Sequence, residues 1–481
     1  YSGDAMVFNN SGTYRKTGGG TSALELVFNN TGTVDVQAGM LALARGGRLT
    51  GTVGIDAQAV LQLSGHTHTL SGLTLSGTGL LEVAGSFASS SSVVAEDALV
   101  LPGDLLVSGG TLTTQGATTI TGALRMAGGT LVANGALTAA SYSQTDNEAT
   151  LDGTGTVNVS GAATWTDGSM FGAGTINFNA GLAITGPADK NLAGGRVINL
   201  FGTSTWSGAT GANTNDFYTG PATLNNFGTF IDANVFDTIL RDWYSGDAMV
   251  FNNSGTYRKT GDTTTALELV FNNTGTVDVQ AGVLALARGG SAGASGELAI
   301  TDGATLRLDA GSFALADTVI TGTGTLEVAG AFASTTAVFH TGSTTLAGQL
   351  LLTGGTLLAN GTLTAATYAQ TANNAVLGGT GTLNVNGAAT WADGSMFDAG
   401  TINFNAGLAI TGPTEKNLAG GRIINLYGTS TWSGATGANN NDFYTGPATI
   451  NNFGTFIDAN GFDTSLRDWY SGDAMVFNNS G

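Results

Sequence analysis

A twelve-residue phrase that occurs three times constrains this chain more than any other feature of its sequence. The phrase Tyr-Ser-Gly-Asp-Ala-Met-Val-Phe-Asn-Asn-Ser-Gly begins at Tyr1 and returns unchanged at Tyr244 and at Tyr470. Such a long period must be interpreted before any local motif, because repeat architectures bury a core only between neighbouring units. It predicts a segment of a longer repeating array. The predicted divisions are copy 1 at 1–243, copy 2 at 244–469, and the start of a third copy at 470–481.

The second copy is shorter than the first by about one layer of structure. Matching residues are 245 positions apart at Gly77 and Gly322, but 226 positions apart from Gly153 and Gly379 onward, a difference of 19 residues. Within the first copy, the phrase Val-Phe-Asn-Asn occurs at Val7 and again at Val27, which gives a layer of similar length. A stack of similar layers tolerates the loss of one layer, whereas a compact domain with a single closed core rarely does.

The hydrophobic pattern has the period of a β-strand rather than that of a helix. Val34 and Val36 point to one side of a strand, a corner follows at residues 37–39, and Leu41 and Leu43 then point inward again. The corners lack the regular Asn-Gly or Asp-Gly pairs of two-residue hairpins. We therefore predict an all-β, right-handed parallel β-helix, a rod-shaped β-solenoid with about three short strands per turn.

Pairs of asparagines stand just before successive Gly-Thr corners. Identical amides stacked one turn apart would hydrogen-bond along the axis, and Phe227, Phe251 and Phe271 would stack inside in the same way. The alternative is that asparagine occurs there because it tolerates a left-handed turn conformation. The residues assigned to the ladder are Asn9, Asn10, Asn29, Asn30, Asn225, Asn226, Asn252, Asn253, Asn272, Asn273, Asn451 and Asn452.

Each copy also contains one longer layer with a distinctive polar and aromatic segment. The segment spans residues 206–218 and returns at residues 432–444. An insertion of this kind predicts a ridge on one side of the coil, where repeat proteins often bind their partners. The alternative is that its aromatic residues cover an otherwise exposed side of the coil. The residues assigned to the surface ridge are Trp206, Asp216, Tyr218, Trp432, Asp442 and Tyr444.

Composition restricts the classes of partner and cofactor. The net charge is −19, and 15 scattered lysines and arginines do not form the basic stripe that nucleic acid requires. No apolar run is long enough to span a membrane. The absence of cysteine excludes disulfides and thiolate metal sites. No cofactor is predicted. Calcium is the one ion that the acidic balance and a few scattered Asp-Gly pairs, such as those at Asp152, Asp167 and Asp302, could attract, although Asp-Gly is first of all a turn pair.

Clustered carboxylates are the groups with which a β-helix could cleave polysaccharides. Asp216, Asp232 and Asp237 lie near the pair Arg241-Asp242 in the sequence, and the same residues recur in the second copy. Because an enzyme rarely carries an active site in every unit of an array, we interpret these residues as exposed acids with one surface ion pair.

Two histidines have a spacing that could bind zinc or copper. His66 and His68 alternate along one strand and would share a face. The second copy has Gly311 and Phe313 in these places. Because a metal site on which function depended should have survived the duplication, we assign no metal ligand.

Several blocks resemble the repeats of a known group of proteins. Residues 28–39 and 163–177 are similar to the β-strand repeats of very large secreted bacterial surface proteins, namely autotransporter-associated repeats and filamentous-haemagglutinin-like adhesins. The resemblance extends over nearly the whole chain. It implies an exported bacterial protein at the cell surface or in the extracellular matrix, where such repeats serve mostly as stalks.

Together these features predict a structural segment of a long extracellular fibre, such as an adhesin stalk, sheath or filament, and not an enzyme. Its partners would be further copies of the repeat, continued covalently or docked head to tail, with lateral fibre partners or glycans in addition. The alternative is a carbohydrate-binding or polysaccharide-cleaving β-helix. That alternative requires a groove lined by Trp206, Tyr218 and Asp216.

Overall fold

The computed structural model describes residues 6–85, 90–330 and 336–481 of the chain. Over these ranges the protein is all-β, a parallel β-solenoid of about 22 turns, which confirms the predicted fold class. These residues form no helix that could cross a membrane. The chain divides into two compact units, Tyr1–Val250 and Phe251–Gly481. The first five residues of the repeated phrase, from Tyr1 on, lie outside the described residues.

Most strands contain three to five residues. In the first unit the strands are Val7–Asn10, Thr13–Lys16, Thr21–Leu24, Val27–Asn30, Thr33–Val36, Met40–Leu43, Gly47–Leu49, Thr52–Ile55, Val60–Ser64, His66–Leu70, Thr74–Ser76, Leu80–Ala84, Ser91–Ala95, Leu99–Leu101, Asp104–Val107, Thr111–Thr114, Thr118–Met126, Thr130–Ala133, Leu137–Gln144, Thr150–Asp152, Thr156–Val159, Ala163–Trp165, Gly168–Met170, Thr175–Phe178, Ala183–Ile184, Lys190–Leu192, Arg196–Leu200, Thr203–Trp206, Phe217–Thr219, Ala222–Asn226, Thr229–Asp232 and Thr238–Asp242.

The strand Val250–Asn253 runs across the division between the units. The strands of the second unit are then Thr256–Lys259, Thr264–Leu267, Val270–Asn273, Thr276–Val279, Val283–Leu286, Gly290–Ala292, Glu297–Ile300, Thr305–Leu308, Gly311–Ala316, Val319–Thr321, Thr325–Val328, Thr336–Thr341, Ser343–Leu352, Thr356–Ala359, Thr362–Gln370, Val376–Gly378, Thr382–Val385, Ala389–Trp391, Gly394–Met396, Thr401–Phe404, Ala409–Ile410, Lys416–Leu418, Arg422–Leu426, Thr429–Trp432, Phe443–Thr445, Ala448–Asn452, Thr455–Asp458, Leu466–Asp468 and Val476–Asn479.

Each strand pairs in parallel with its counterpart one turn later. Val7 pairs with Val27 and Thr33 pairs with Thr52, and these partners define the length of a plain turn. Where a turn contains an insertion the step is longer. Arg196, for example, pairs with Ala222. The backbone hydrogen bonds therefore run from turn to turn, and most strand edges are covered by a neighbouring strand.

Three sides of the coil can be followed through the later turns of the first unit. Side A consists of the strands Thr156–Val159, Thr175–Phe178, Arg196–Leu200 and Ala222–Asn226. Side B consists of Ala163–Trp165, Ala183–Ile184, Thr203–Trp206 and Thr229–Asp232. Side C consists of Gly168–Met170, Lys190–Leu192, Phe217–Thr219 and Thr238–Asp242.

The core is a continuous apolar strip inside the coil. On Arg196–Leu200, Ile198 and Leu200 are buried, whereas Val197 and Asn199 lie on the outer face. This alternation follows from the two-residue period of a strand. Burial of one such aliphatic side chain stabilises the fold by about 1.5–3 kcal/mol, so a charged residue at Ile198 would disrupt several turns.

Glycine is required at the Gly-Thr corners because the backbones of successive corners approach each other closely. Neither Gly32 nor Gly228 has a positive φ angle, so backbone conformation alone does not require glycine there. A Cβ atom at Gly32 would instead collide with the carbonyl oxygen of Gly12, and one at Gly228 with that of Gly202. Successive corners stack backbone on backbone, and only glycine permits so close an approach.

The predicted internal stacking of aromatic residues is correct for two residues and wrong for one. Phe251 and Phe271 are buried with ring centroids 5.2 Å apart. Phe227 is half exposed and stacks on Phe201 outside the coil, with the centroids 5.1 Å apart. Phe227 lies three residues after the inward-facing Leu224, so strand alternation places it on the outer surface.

Candidate functional site

The paired asparagines form two kinds of amide contact along the stack. Asn10 and Asn30 are buried, and Asn10 Nδ2 donates to Asn30 Oδ1 at 2.7 Å. On the outer face, Asn29 Nδ2 donates to Asn9 Oδ1 at 2.9 Å. One asparagine of each pair therefore satisfies polar groups inside the coil, while the other links neighbouring turns on its surface.

The other predicted asparagines follow the same arrangement, and Asn226 is the buried member of its pair. Further amide-to-amide bonds join Asn253 to Asn273 (2.7 Å), Asn272 to Asn252 (3.1 Å), Asn225 to Asn199 (2.8 Å), Asn451 to Asn425 (2.9 Å), Asn478 to Asn451 (2.9 Å) and Asn452 to Asn479 (2.7 Å).

Single asparagines extend the outer ladder, and a search for asparagine pairs misses them. Asn177 donates to Asn158 and Asn199 donates to Asn177, both at 2.7 Å. The sequence signal is a lone asparagine between two apolar residues, as in Val-Asn-Val, Ile-Asn-Phe and Ile-Asn-Leu. At that position the asparagine faces outward on side A in every one of these turns.

The predicted surface ridge is wrong for four of its six residues. Trp206, Asp216, Trp432 and Asp442 are buried. Trp206 is the inward-facing end of its strand, and its Nε1 donates to the carbonyl oxygen of Asn215 at 3.0 Å. Trp432 makes the same bond with Asn441 at 3.0 Å. Tyr218 and Tyr444 are half-buried and remain partly accessible.

A buried lysine holds the inserted segment against the coil. The Lys190 side chain is wholly buried, and its Nζ donates to the carbonyl oxygens of Thr185 (2.8 Å) and Ala188 (2.6 Å) and to Asn215 Oδ1 (2.6 Å). A fourth oxygen, from Gly186, lies 3.3 Å away. We call these four oxygens the lysine cage.

The lysine cage is tied to the inserted segment through the amide of Asn215. Its Nδ2 donates to the carbonyl oxygen of Ser207 (2.9 Å) and to Asn234 Oδ1 (3.1 Å), while Asn234 Nδ2 donates to the carbonyl oxygen of Trp206 (3.2 Å). Every polar atom of the Asn215 side chain therefore has a partner. This network anchors Trp206 and Asn215 inside the coil, whereas Gly208, Thr210, Ala212 and Asn213 between them are exposed.

The second copy contains the same cage around Lys416. Its Nζ donates to the carbonyl oxygens of Thr411 and Thr414, both at 2.6 Å, and to Asn441 Oδ1 at 2.7 Å. Thr414 replaces Ala188 without consequence, because the bond uses the main chain. Burial lowers the pKa of both lysines to about 8, and carboxylates nearby oppose this shift.

One predicted acidic residue in each copy is a buried carboxylate that pairs with a partly exposed arginine. Asp216 accepts a hydrogen bond from the Ile239 amide at 2.9 Å and lies 3.4 Å from Arg241 Nη2. Burial raises the pKa of Asp216, whereas the Ile239 and Arg241 contacts counteract that rise. In the second copy Asp442 lies 2.8 Å from Arg467 Nη2. Since Trp206 and Asp216 are both buried, they do not line the groove that the polysaccharide alternative required.

The remaining predicted acids and the two predicted histidines differ in their exposure to solvent. The interpretation of these acids as exposed is wrong for Asp232, which is buried like Asp216 and Asp442. It is correct for Asp237 in the first copy and for Asp458, Asp463 and Asp468 in the second. His68 is buried but His66 is exposed, because His66 has a φ of 56° and interrupts the strand alternation. Over the described ranges, no three His, Cys, Asp or Glu side chains converge on a point where they could hold a metal ion.

Side C carries an accessible cluster of aromatic and polar residues. Trp243 is 65% exposed, and its ring meets Tyr218 edge to face with centroids 5.2 Å apart. The Arg241 guanidinium lies 6.0 Å from the Tyr218 ring centroid, and the Tyr244 hydroxyl donates to Asn191 Oδ1 at 2.7 Å. We call these five residues the aromatic patch.

The equivalent residues of the second copy form a second aromatic patch. Trp469 lies 5.1 Å from Tyr444, and the Tyr470 hydroxyl donates to Asn417 Oδ1 at 2.7 Å. The sequence contained a signal for this cluster, since Arg-Asp-Trp-Tyr recurs unchanged in both copies.

Comparison of the chain with protein-family models, with curated proteins and with solved structures gives no match.

Proposed function

We propose that this chain is a structural segment of a long, exported bacterial fibre at the cell surface or in the extracellular matrix. The observation that carries the proposal is that a turn is the interchangeable unit of the fold. Between Gly77 and Gly153 the first copy has 19 more residues than the second copy has between Gly322 and Gly379. This number is the register step between Ser92 and Thr111 and between Thr111 and Thr130. An architecture that gains or loses whole turns without a change of register suits a fibre of variable length.

The bonding between turns supports a mechanical role. Backbone bonds and asparagine ladders run from turn to turn, and the apolar strip is continuous within each unit. Extension of such a stack adds hydrogen bonds and buried area at each step, and it leaves few open strand edges. Further copies of the repeat are therefore the partners that we propose, and we propose no catalytic activity and no cofactor.

The proposed location rests on composition and on the resemblance to repeats of secreted bacterial surface proteins. The chain lacks cysteine, which suits export in an unfolded state, since stray disulfides cannot form. Its net charge of −19 would keep neighbouring fibres apart in solution.

Immunogold electron microscopy of the bacterium that encodes the chain tests this proposal. An antibody raised against the purified chain should label filaments outside the cell, and preimmune serum should not. Averaging along labelled filaments should give a layer line at about 4.8 Å, the spacing between adjacent strands. Label confined to the cytoplasm, or label on discrete particles that never form filaments, would overturn the proposal.

A further inference from the structure

Trp243 occupies an unusual environment for a tryptophan of this chain. Trp165, Trp206, Trp391 and Trp432 are all buried in the coil, whereas Trp243 is 65% exposed and Trp469 is 68% exposed. A tryptophan ring buries a large area when it binds a partner, and exposed tryptophans are frequent energetic centres of binding surfaces. The exposed ring of Trp243 is therefore a candidate binding surface for a ligand.

The neighbours of Trp243 hold polar groups in fixed positions around the ring. Arg241 lies 3.4 Å from the buried carboxylate of Asp216, and its guanidinium lies over Tyr218. Tyr244 is fixed by Asn191 and by edge-to-face packing on Phe171, with centroids 5.8 Å apart. Because these side chains are held by other contacts, a ligand would not have to order them on binding.

We propose that the aromatic patch binds neutral pyranose sugars of a glycan chain. A pyranose ring presents a flat C–H face, which packs on an aromatic ring, and a rim of hydroxyls, which can bond to guanidinium, amide and phenol groups. The combination of one exposed indole with arginine, asparagine and tyrosine matches both features of the sugar.

Charge determines which glycans fit. Arg241 is already paired with Asp216, Asp242 adds a carboxylate next to Trp243, and the chain as a whole carries −19. Acidic glycans would therefore be repelled. The side chains that surround Trp243 in the aromatic patch are polar or amphipathic. The patch therefore differs from the apolar centre of a protein–protein interface.

The presence of one aromatic patch in each copy compensates for weak binding at a single patch. One exposed ring with few polar contacts corresponds to a Kd on the order of 1 mM. An array of copies raises the effective affinity for a polymeric glycan without any new contact. The inference does not depend on the proposed fibre, since the patch lies within a single copy.

Isothermal titration calorimetry of the intact 481-residue chain tests this inference. The probes are cellohexaose, laminarihexaose and mannohexaose, each up to about 10 mM, and polygalacturonate is the acidic comparison. We expect at least one neutral hexaose to bind at two sites per chain. Trp243→Ala and Trp469→Ala should each leave one site, and the double variant should leave none.

Phe227→Ala is the matched control, because Phe227 is also a half-exposed aromatic residue but lies on side A. It should bind the sugar like the unaltered chain. Circular dichroism should show that all variants keep the β-sheet spectrum. The inference is overturned if none of the three hexaoses binds, if only polygalacturonate binds, or if Phe227→Ala reduces binding as much as Trp243→Ala. None of these results bears on whether the chain forms filaments.

Discussion

Residues 91–152 of the first copy and residues 336–378 of the second copy are two versions of the same region that differ by one turn. In the first copy, successive turns place Ser92, Thr111, Thr130 and Thr150 in one column. In the second copy the column contains only Ala337, Thr356 and Val376. In both regions the last step of the column is slightly longer than the steps before it. The comparison shows that the two copies differ here by one whole turn of the coil.

The two regions also share a local irregularity, which locates the missing turn. The strand Thr118–Met126 continues around a corner with a register shift between Ile120 and Ala123, and Ser343–Leu352 does so between Leu346 and Gln349. These strands match at an offset of 226, so the turn that contains them was retained. The lost residues precede them, because Phe339 matches Val94 and His340 matches Thr114.

The strongest test of this comparison is to remove the same turn from the first copy. Deletion of residues 95–113 joins Val94 to Thr114, which is the register partner of Ala95. We expect a folded protein with an unchanged β-sheet spectrum. Deletion of residues 95–105 should abolish folding of this region, because it joins Val94 to Leu106 on another side of the coil and destroys the register. Circular dichroism and urea unfolding would measure both outcomes, and equal stability of the two variants would refute the turn as a unit.

The two lysine cages should contribute equally to the stability of the two copies. Lys190→Met leaves Asn215 Oδ1 and the Thr185 and Ala188 carbonyls without their donor in a buried place. We expect a loss of about 3 kcal/mol or more in the free energy of unfolding. Lys416→Met should cost the same within about 1 kcal/mol. Urea unfolding monitored by tryptophan fluorescence would measure both costs, and a small loss in either variant would mean that the cage does not hold the insertion.

The pH dependence of the free energy of unfolding reports on Lys190 and Lys416 in the unaltered chain. Their pKa is lowered from 10.5 to about 8 in the folded chain, so the unfolded chain binds more protons between these values. The free energy of unfolding should therefore rise as the pH increases from 8 towards 10.5, by at most about 1.4 kcal/mol per lysine and per pH unit. Unfolding at fixed urea concentrations would give this slope. If the double variant Lys190→Met with Lys416→Met kept the full slope, other groups would be its cause.

The smallest expected effect is the difference in stability cost between replacing an inner asparagine and replacing an outer one. Asn30→Ala removes the acceptor of Asn10 inside the coil and should cost about 1–3 kcal/mol. Asn29→Ala removes a surface bond to Asn9 and should cost about 0.5–1 kcal/mol. The midpoints of urea unfolding would show which of the two variants is less stable. If the outer substitution cost more, the surface ladder would be the principal link between these turns.

Part of the candidate site could be predicted because it depends on local rules. Asn9 and Asn29, and Asn10 and Asn30, occupy equal positions of repeated phrases, so any parallel stacking brings them together. The burial of Trp206 and Asp216 could not be predicted in this way. It depends on Lys190, whose cage closes over Asn215 only when the two adjacent turns are in place.

The sequence by itself determined the strand period, the parallel stacking, the turn length and the copies, because each of these follows from residue spacing along one strand or between identical phrases. Only the tertiary structure decided that Trp206 and Asp216 of the inserted segment are buried and that Trp243 lies accessible beside Tyr218 and Arg241. The physical reason is that a polar insertion is stable against the coil only if buried donors and acceptors satisfy it. For Asn215 those partners are Lys190 in the turn before it and Asn234 in the turn after it, and neither is its neighbour along the chain.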